Sequence, residues 1–196
     1  MSSKLGDAYL RNTLRTYRTY KEMAEKAIAQ VRSDEDLNRE LDENSNSIAI
    51  IVKHMSGNLR SRFRDFLTSD GEKPDRNRDS EFESEKPASR EQLLRWWNDA
   101  WQIAMGSIEA LSADDLERTV RIRGEELLVV EALNRSVTHA AYHVGQIVYL
   151  AKALRGAEWR YLSIPPGGSA AYNRAPTHDK PSAHREALRT GRDRGT

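Results

Sequence analysis

VVEALNRSVTHAAYHVGQIVYLAKAL, residues 129–154, reads as one long α-helix. Leu133, Ala140, Val144, Val148 and Ala151 gather about 100–180° around the axis from His139, as a core-facing stripe should. Gly156 supplies a stop signal just past the end. Working back along the chain, three more stretches carry the same period. Residues 5–31 place Leu10, Leu14, Tyr17, Ala24, Ala27, Ile28 and Val31 at three- and four-residue steps. Residues 44–67 do so with Ile48, Ile51, Val52, Met55, Leu59, Phe63 and Phe66. Residues 90–111 do so with Leu93, Trp97, Ala100, Trp101, Ala104, Met105 and Ile108, behind a Ser89/Gln92 capping pattern. Trp96, Trp97 and Trp101 read most simply as core or interface residues.

These four patterns predict an all-α fold of four long helices. The connections are unequal. Residues 32–43 are polar and read as partly helical. Residues 70–88 form a long charged crossover between the second and third helices, a length more often functional than idle. Residues 119–126, TVRIRGEE, alternate around Gly124 and read as a small hairpin between the third and fourth helices. The domain is expected over residues 1–172, with 159–168 apolar enough to dock on it. Residues 173–196 are expected as a disordered basic tail, where six basic and three acidic side chains leave a charge of +3.

The whole chain has 196 residues and a net charge of only +1, which gives no global argument for nucleic acid or an anionic membrane as a partner. The dispersed cations of the tail, without aromatics, make a nucleic-acid arm the weakest functional reading. No apolar run approaches the roughly 20 residues of a membrane span, and the N-terminus lacks the apolar core of a signal peptide. A cytoplasmic protein is expected. Cysteine is absent, so the chain has neither thiolate ligands nor a cysteine nucleophile.

The chemistry lies with the histidines. His178 and His184 fall in the tail. His139 and His143 are four apart, so they sit about 40° apart on one helix face, from which two imidazoles can reach one metal ion. Ser136, His143, Gln146 and Leu150 lie close to His139 around the axis, so the pair edges the apolar stripe. On the second helix, Ser47, Asn58, Ser61 and Asp65 lie within about 40° of His54. Each helix thus carries a polar seam beside its core face. If the seams meet, three imidazoles converge, a ligand set suited to Zn²⁺, Ni²⁺ or Fe²⁺ with positions left open for substrate. The residues alone also allow the histidines to be boundary side chains satisfied by their neighbours.

Three stretches carry a family resemblance: IVKHMSGNLRSRFRDFLTSDGEKPDRNRDSEF (51–82), SVTHAAYHVGQIVYLAKAL (136–154) and WRYLSIPPGGSAAYN (159–173). The sequence resembles the DinB-like superfamily of four-helix metal-binding proteins, which includes the YfiT-like hydrolases and the bacillithiol S-transferases. Within it, the chain is most similar to a bacterial branch known only as a domain of unknown function. The resemblance implies one metal ligand on the second helix and two on the last, which fall here on His54, His139 and His143. It also implies a divalent metal cofactor, a bundle with a long crossover, and frequent homodimers. Tyr142, Gly145 and Tyr149, on the other side of the last helix, are more apolar than a solvent face needs and suit such a dimer.

Around this ligand set, Asn58, Ser61, Arg62 and Gln146 are the candidate substrate-binding residues, with Arg62 as an anion clamp. Ordinary boundary hydrogen bonding is the alternative for Asn58, Ser61 and Arg62. Arg76, Arg78 and Asp79 read as a solvated ion-pair loop or as a cover over the cavity. The favoured function is metal-dependent transfer of a low-molecular-weight thiol to a small electrophile. Metal-dependent hydrolysis and a non-catalytic metal- or ligand-binding dimer are the alternatives.

Overall fold

The computed structural model describes residues 4–83 and 87–175. These divide into two compact units, one ending at Trp159 and one beginning at Arg160. The second unit contains a short helix, Ser169–Arg174. The expected basic tail lies outside the described residues from Pro176 onward, as do His178 and His184.

The first unit is helical, as the periodicity requires. Its elements are α1 (Lys4–Ile28), α2 (Asp34–Asn38), α3 (Ile48–Phe63), α4 (Arg90–Glu109), β1 (Thr119–Ile122), β2 (Glu125–Leu128) and α5 (Val129–Arg155). Single 3₁₀ turns stand at Asp79–Phe82, Ala113–Glu117 and Gly156–Glu158. In the bundle, α3 packs on α4 and α5, and α1 closes the ring against the same two helices. No helix among the described residues is long and apolar enough to cross a membrane.

Local chemistry sets the ends. The first helix stops at Ile28, short of the expected Val31, and Arg90 donates to the carbonyls of Ile28 and Val31 at 2.7 and 2.8 Å. The second long helix is shorter than expected at both ends. Ser47 caps it by accepting from the Ile50 N–H at 3.2 Å. At the other end Arg64 is extended and Asp65 takes a positive φ of 51°, which ends the helix before Leu67. Asp65 is therefore off the histidine seam. Ser89 caps α4 as its sequence pattern implies. Gly156, at φ 60°, terminates α5 in a conformation that disfavours a side chain.

The core is aromatic. Tyr17, Phe63, Trp97 and Trp101 are fully enclosed. Tyr17 meets Trp101 edge-on, with ring centroids 5.4 Å apart, and Phe63 at 6.1 Å. The Tyr17 hydroxyl donates to Ser136 at 2.6 Å, tying α1 to α5 one turn before the first histidine of that helix. Trp97 and Trp101 are core residues, whereas Trp96 is half-buried.

The hairpin is present, pairing Thr119 with Leu128 and Ile122 with Glu125. Arg123 and Gly124 both have positive φ, 58° and 79°, the two-residue turn that matches strand twist. The crossover folds back on the end of α3 and onto this hairpin. Ser61 donates to the Gly71 carbonyl at 2.7 Å and accepts from the Lys73 N–H at 3.1 Å. The Asp70 carboxylate accepts from the backbone N–H groups of Arg123 and Gly124 at 2.8 and 2.7 Å. Crossover and hairpin thus form one wall beside α3 and α5.

Candidate metal centre

One helix carries His54 and the other His139 and His143, and packing brings the two seams together. One ligand nitrogen from each ring lies within 4.8 Å of those from the other two. Nε2 of His54 faces Nε2 of His139 at 3.3 Å. Two nitrogens that share a tetrahedral zinc, each about 2.0–2.1 Å from it, stand about 3.3–3.4 Å apart. Among the described residues this is the group of histidines and carboxylates able to hold a metal ion.

The surrounding residues fix the rings for that use. His54 Nδ1 lies 2.9 Å from Glu81 Oε2, so it donates its proton there and presents Nε2 as a lone pair. His143 Nδ1 lies 2.8 Å from Gln146 Oε1 and is held in the same way. His139 has no such support among the described residues, where its buried Nδ1 meets no partner. Burial first, with positive charge from His143 and His54 adding to it, pushes the His139 imidazole down to about 3. Burial also pushes His143 down, although the Gln146 bond opposes this. Neutral imidazole is the form that binds metal, and the donor set fits a borderline divalent ion.

Glu81 is the residue that sequence reasoning missed. It is buried in the 3₁₀ turn of the crossover, with no periodic neighbour to mark it. Arg76 grips its two oxygens through Nε and Nη2 at 2.8 and 2.9 Å. Burial pushes this carboxyl up, but the hydrogen bonds from His54 and Arg76 outweigh it, and Glu81 ends below the usual carboxylate range. Gly57, one turn from His54, makes room for it. A Cβ there would fall 2.1 Å from Glu81 Oε1. Gly57→Ala is therefore expected to displace the carboxylate and weaken metal binding about tenfold, as loss of a supporting partner does. A competition titration with a chromogenic chelator checks this.

The same burial predicts a pH dependence for the metal-free protein. An unfolded His139 takes up a proton near pH 6.5, while the folded one stays neutral down to about 3. Its contribution to stability is complete above pH 6.5 and is lost as pH falls from there toward 3. Glu81, held low, acts in the same direction on the acid side. Urea midpoints of chelator-treated protein should fall through this window, and fall less in His139→Ala.

A cavity of about 410 Å³ opens beside the cluster, within the usual range for small-molecule sites. His54, His139 and His143 line it, and so do Asn58 and Arg62 of the four candidate substrate residues. Ser61 and Gln146 do not: Ser61 is bonded to the crossover and Gln146 holds His143. Of the crossover residues, Arg76 and Arg78 line the cavity, whereas Asp79 is exposed. Arg121, Arg123 and Arg135 also line it, although no periodic signal marks them in the sequence.

Comparisons with known proteins agree with this architecture. A search of curated proteins found no match. Among solved structures, the fold is similar to that of a DinB-like protein from Bacillus cereus ATCC 10987, determined at 2.01 Å. The identity is 15%, the match covers 73% of this chain and 91% of that one, and the TM-score is 0.56. The shared feature is the helical bundle, so the fold is DinB-like. A family model matches residues 4–168, and the chain accordingly belongs to the family described as "Protein of unknown function (DUF1572)".

Proposed function

We propose that the protein is a divalent-metal-dependent enzyme that transfers a low-molecular-weight thiol to a small electrophile. The reading rests on one observation. The three imidazoles border a small-molecule cavity whose lining, among the described residues, includes no carboxylate. A zinc, nickel or iron ion held by His54, His139 and His143 would supply Lewis acidity and favour the ionised form of a thiol. Every other part falls to the chain itself. Glu81 and Gln146 keep the lone pairs of His54 and His143 turned toward the cluster. Desolvation keeps His139 and His143 neutral. Asn58 and Arg62 present an amide and a guanidinium to the bound molecules.

With no cysteine in the chain, the sulfur comes from the cosubstrate. In the transfer, a carbon–sulfur bond forms and the bond from carbon to the leaving group breaks. The leaving group keeps the electron pair, and the thiol proton passes to solvent. Amide hydrolysis would need a proton for the departing amine. The lining offers no carboxyl group, and its His139 and His143 imidazoles are held neutral. This favours transfer over hydrolysis.

The test is a rate assay on protein reconstituted with each metal, using cysteine and glutathione as thiols and monochlorobimane as electrophile. Product formation that needs both metal and protein is expected. Turnover of an amide without thiol would replace this reading with hydrolysis. Metal-linked stabilisation without turnover of either kind would leave a non-catalytic bundle.

We also infer a homodimer. Tyr142 and Tyr149 of α5 are 64% and 71% exposed. Pairing of two copies through this face would cover them. Tyr149→Asp is expected to shift the mass measured by light scattering from two chains to one.

A further inference from the structure

The cavity beside the histidines is lined by six arginines: Arg62, Arg76, Arg78, Arg121, Arg123 and Arg135. Five of them have carboxylate partners. Glu72 takes Arg62 at 3.1 Å, Arg123 at 3.0 Å and Arg76 at 3.6 Å. Glu81 takes Arg76 at 2.8 Å. Glu126 takes Arg121 at 2.8 Å, and Asp79 lies 3.9 Å from Arg78. Among the described residues Arg135 has no ion-pair partner. With Asp70, whose carboxylate lies against the hairpin turn, six guanidinium groups stand among five carboxylates, and an excess of one positive charge borders the space.

The excess is placed at one end. Arg62 lies eight residues after His54 on α3, about 12 Å along the axis. Arg135 lies one turn before His139 on α5, and Arg121 and Arg123 sit in the hairpin that leads into that helix. The hairpin is pinned to the crossover by Asp70 and by the Gly71 N–H to Arg121 carbonyl bond at 2.7 Å, and Ser61 ties that crossover to the end of α3. The apolar part of the lining, Phe63, Phe66, Ile122 and Ala132, lies at this same end, and Asn58 and Ser136 line the way from it to the histidines.

We propose that the cavity binds a small organic anion. Its carboxylate or phosphate group is held by Arg121, Arg123 and Arg135, and its apolar part rests on Phe63, Phe66 and Ile122 at the same end of the cavity. The guanidinium fork matches both kinds of head group in a two-bonded geometry. The apolar walls and the volume of about 410 Å³ exclude a polyanion and select a small molecule. This deepens the proposed function by naming the substrate class, and it rests on that reading's placement of substrate in this cavity. It depends on the arginines, however, and not on the metal.

Calorimetry on the full chain separates the two. Succinate and inorganic phosphate are titrated as probes, with succinamide as the uncharged control, into chelator-treated and metal-loaded protein. At least one anion should bind the chelator-treated protein. The Arg121→Ala/Arg135→Ala double variant should bind it about tenfold more weakly or worse, since each change removes a charge-assisted hydrogen bond. Both side chains are exposed, so the variant keeps its fold. Which of the two anions binds distinguishes carboxylate from phosphate recognition. The proposal is overturned if neither anion binds, if the double variant binds as tightly as wild type, or if succinamide binds as well as succinate. Anion binding that survives in a protein unable to take up metal would support this site while removing the metal-dependent reaction.

Discussion

Replacing His139 with alanine should abolish stoichiometric binding of a divalent metal and leave the helices intact. The expected loss is large because, among the described residues, three histidines supply the centre. Apparent zinc-binding free energies of about 10–16 kcal/mol over four ligands imply about 3 kcal/mol per ligand, or a factor above one hundred. The same change should not weaken the metal-free protein by a comparable amount. The His139 side chain keeps a buried Nδ1 without a hydrogen-bond partner, a cost of about 1–3 kcal/mol that alanine removes. Deleting the ring gives up some packing, but it borders an open cavity that water can enter. Metal content by mass spectrometry, measured beside urea unfolding of chelator-treated protein, reads both effects. A variant that still carries one metal per chain would remove His139 from the ligand set. A variant that binds none and unfolds far more easily would make the histidine structural.

Glu81→Ala should do the opposite and damage the fold as well as the site. The Arg76 side chain is only 5% exposed and Glu81 only 8%. Removing the carboxylate leaves a buried guanidinium whose remaining partner, Glu72, stands 3.6 Å away. Breaking a buried pair from one side costs about 3–5 kcal/mol, and the Glu72 contact places this case at about 3. His54 also loses the acceptor that fixes its ring, which lowers metal affinity about 10- to 100-fold. Unfolding of the metal-free protein and a chelator competition measure the two losses separately. An unchanged urea midpoint would mean that Arg76 is not dependent on this carboxylate. An unchanged affinity would mean that the tautomer of His54 is set without it.

The contrast between these two residues shows where the sequence is legible. His139 and His143 are identifiable because their relation is local. Four residues along one helix place two rings on one face, whatever the helix packs against. The same holds for the helices themselves. Ser47, Ser89 and Gly156 mark ends through bonds or dihedral angles formed within a few residues. Asp65 leaves the seam because the extended Arg64 and the positive φ of Asp65 end the helix one turn early, and nothing in the apolar period signals that.

Glu81, Arg121, Arg123 and Arg135 have no such local mark. Glu81 lies 27 residues from His54 in the chain, and only the folding of the crossover onto α3 brings them to 2.9 Å. The meeting of the two histidine seams is implied by the family resemblance alone, since wheel positions on separate helices do not say which faces touch. The periodic apolar pattern determined by itself four helices, their inward faces and the paired histidines, because helical rise and rotation are properties of a single segment. The carboxylate behind His54, the partner of each arginine and the excess charge at one end of the cavity were decided by tertiary structure. Polar contacts fall off with distance, and distances between segments remote in sequence exist only once the core has packed.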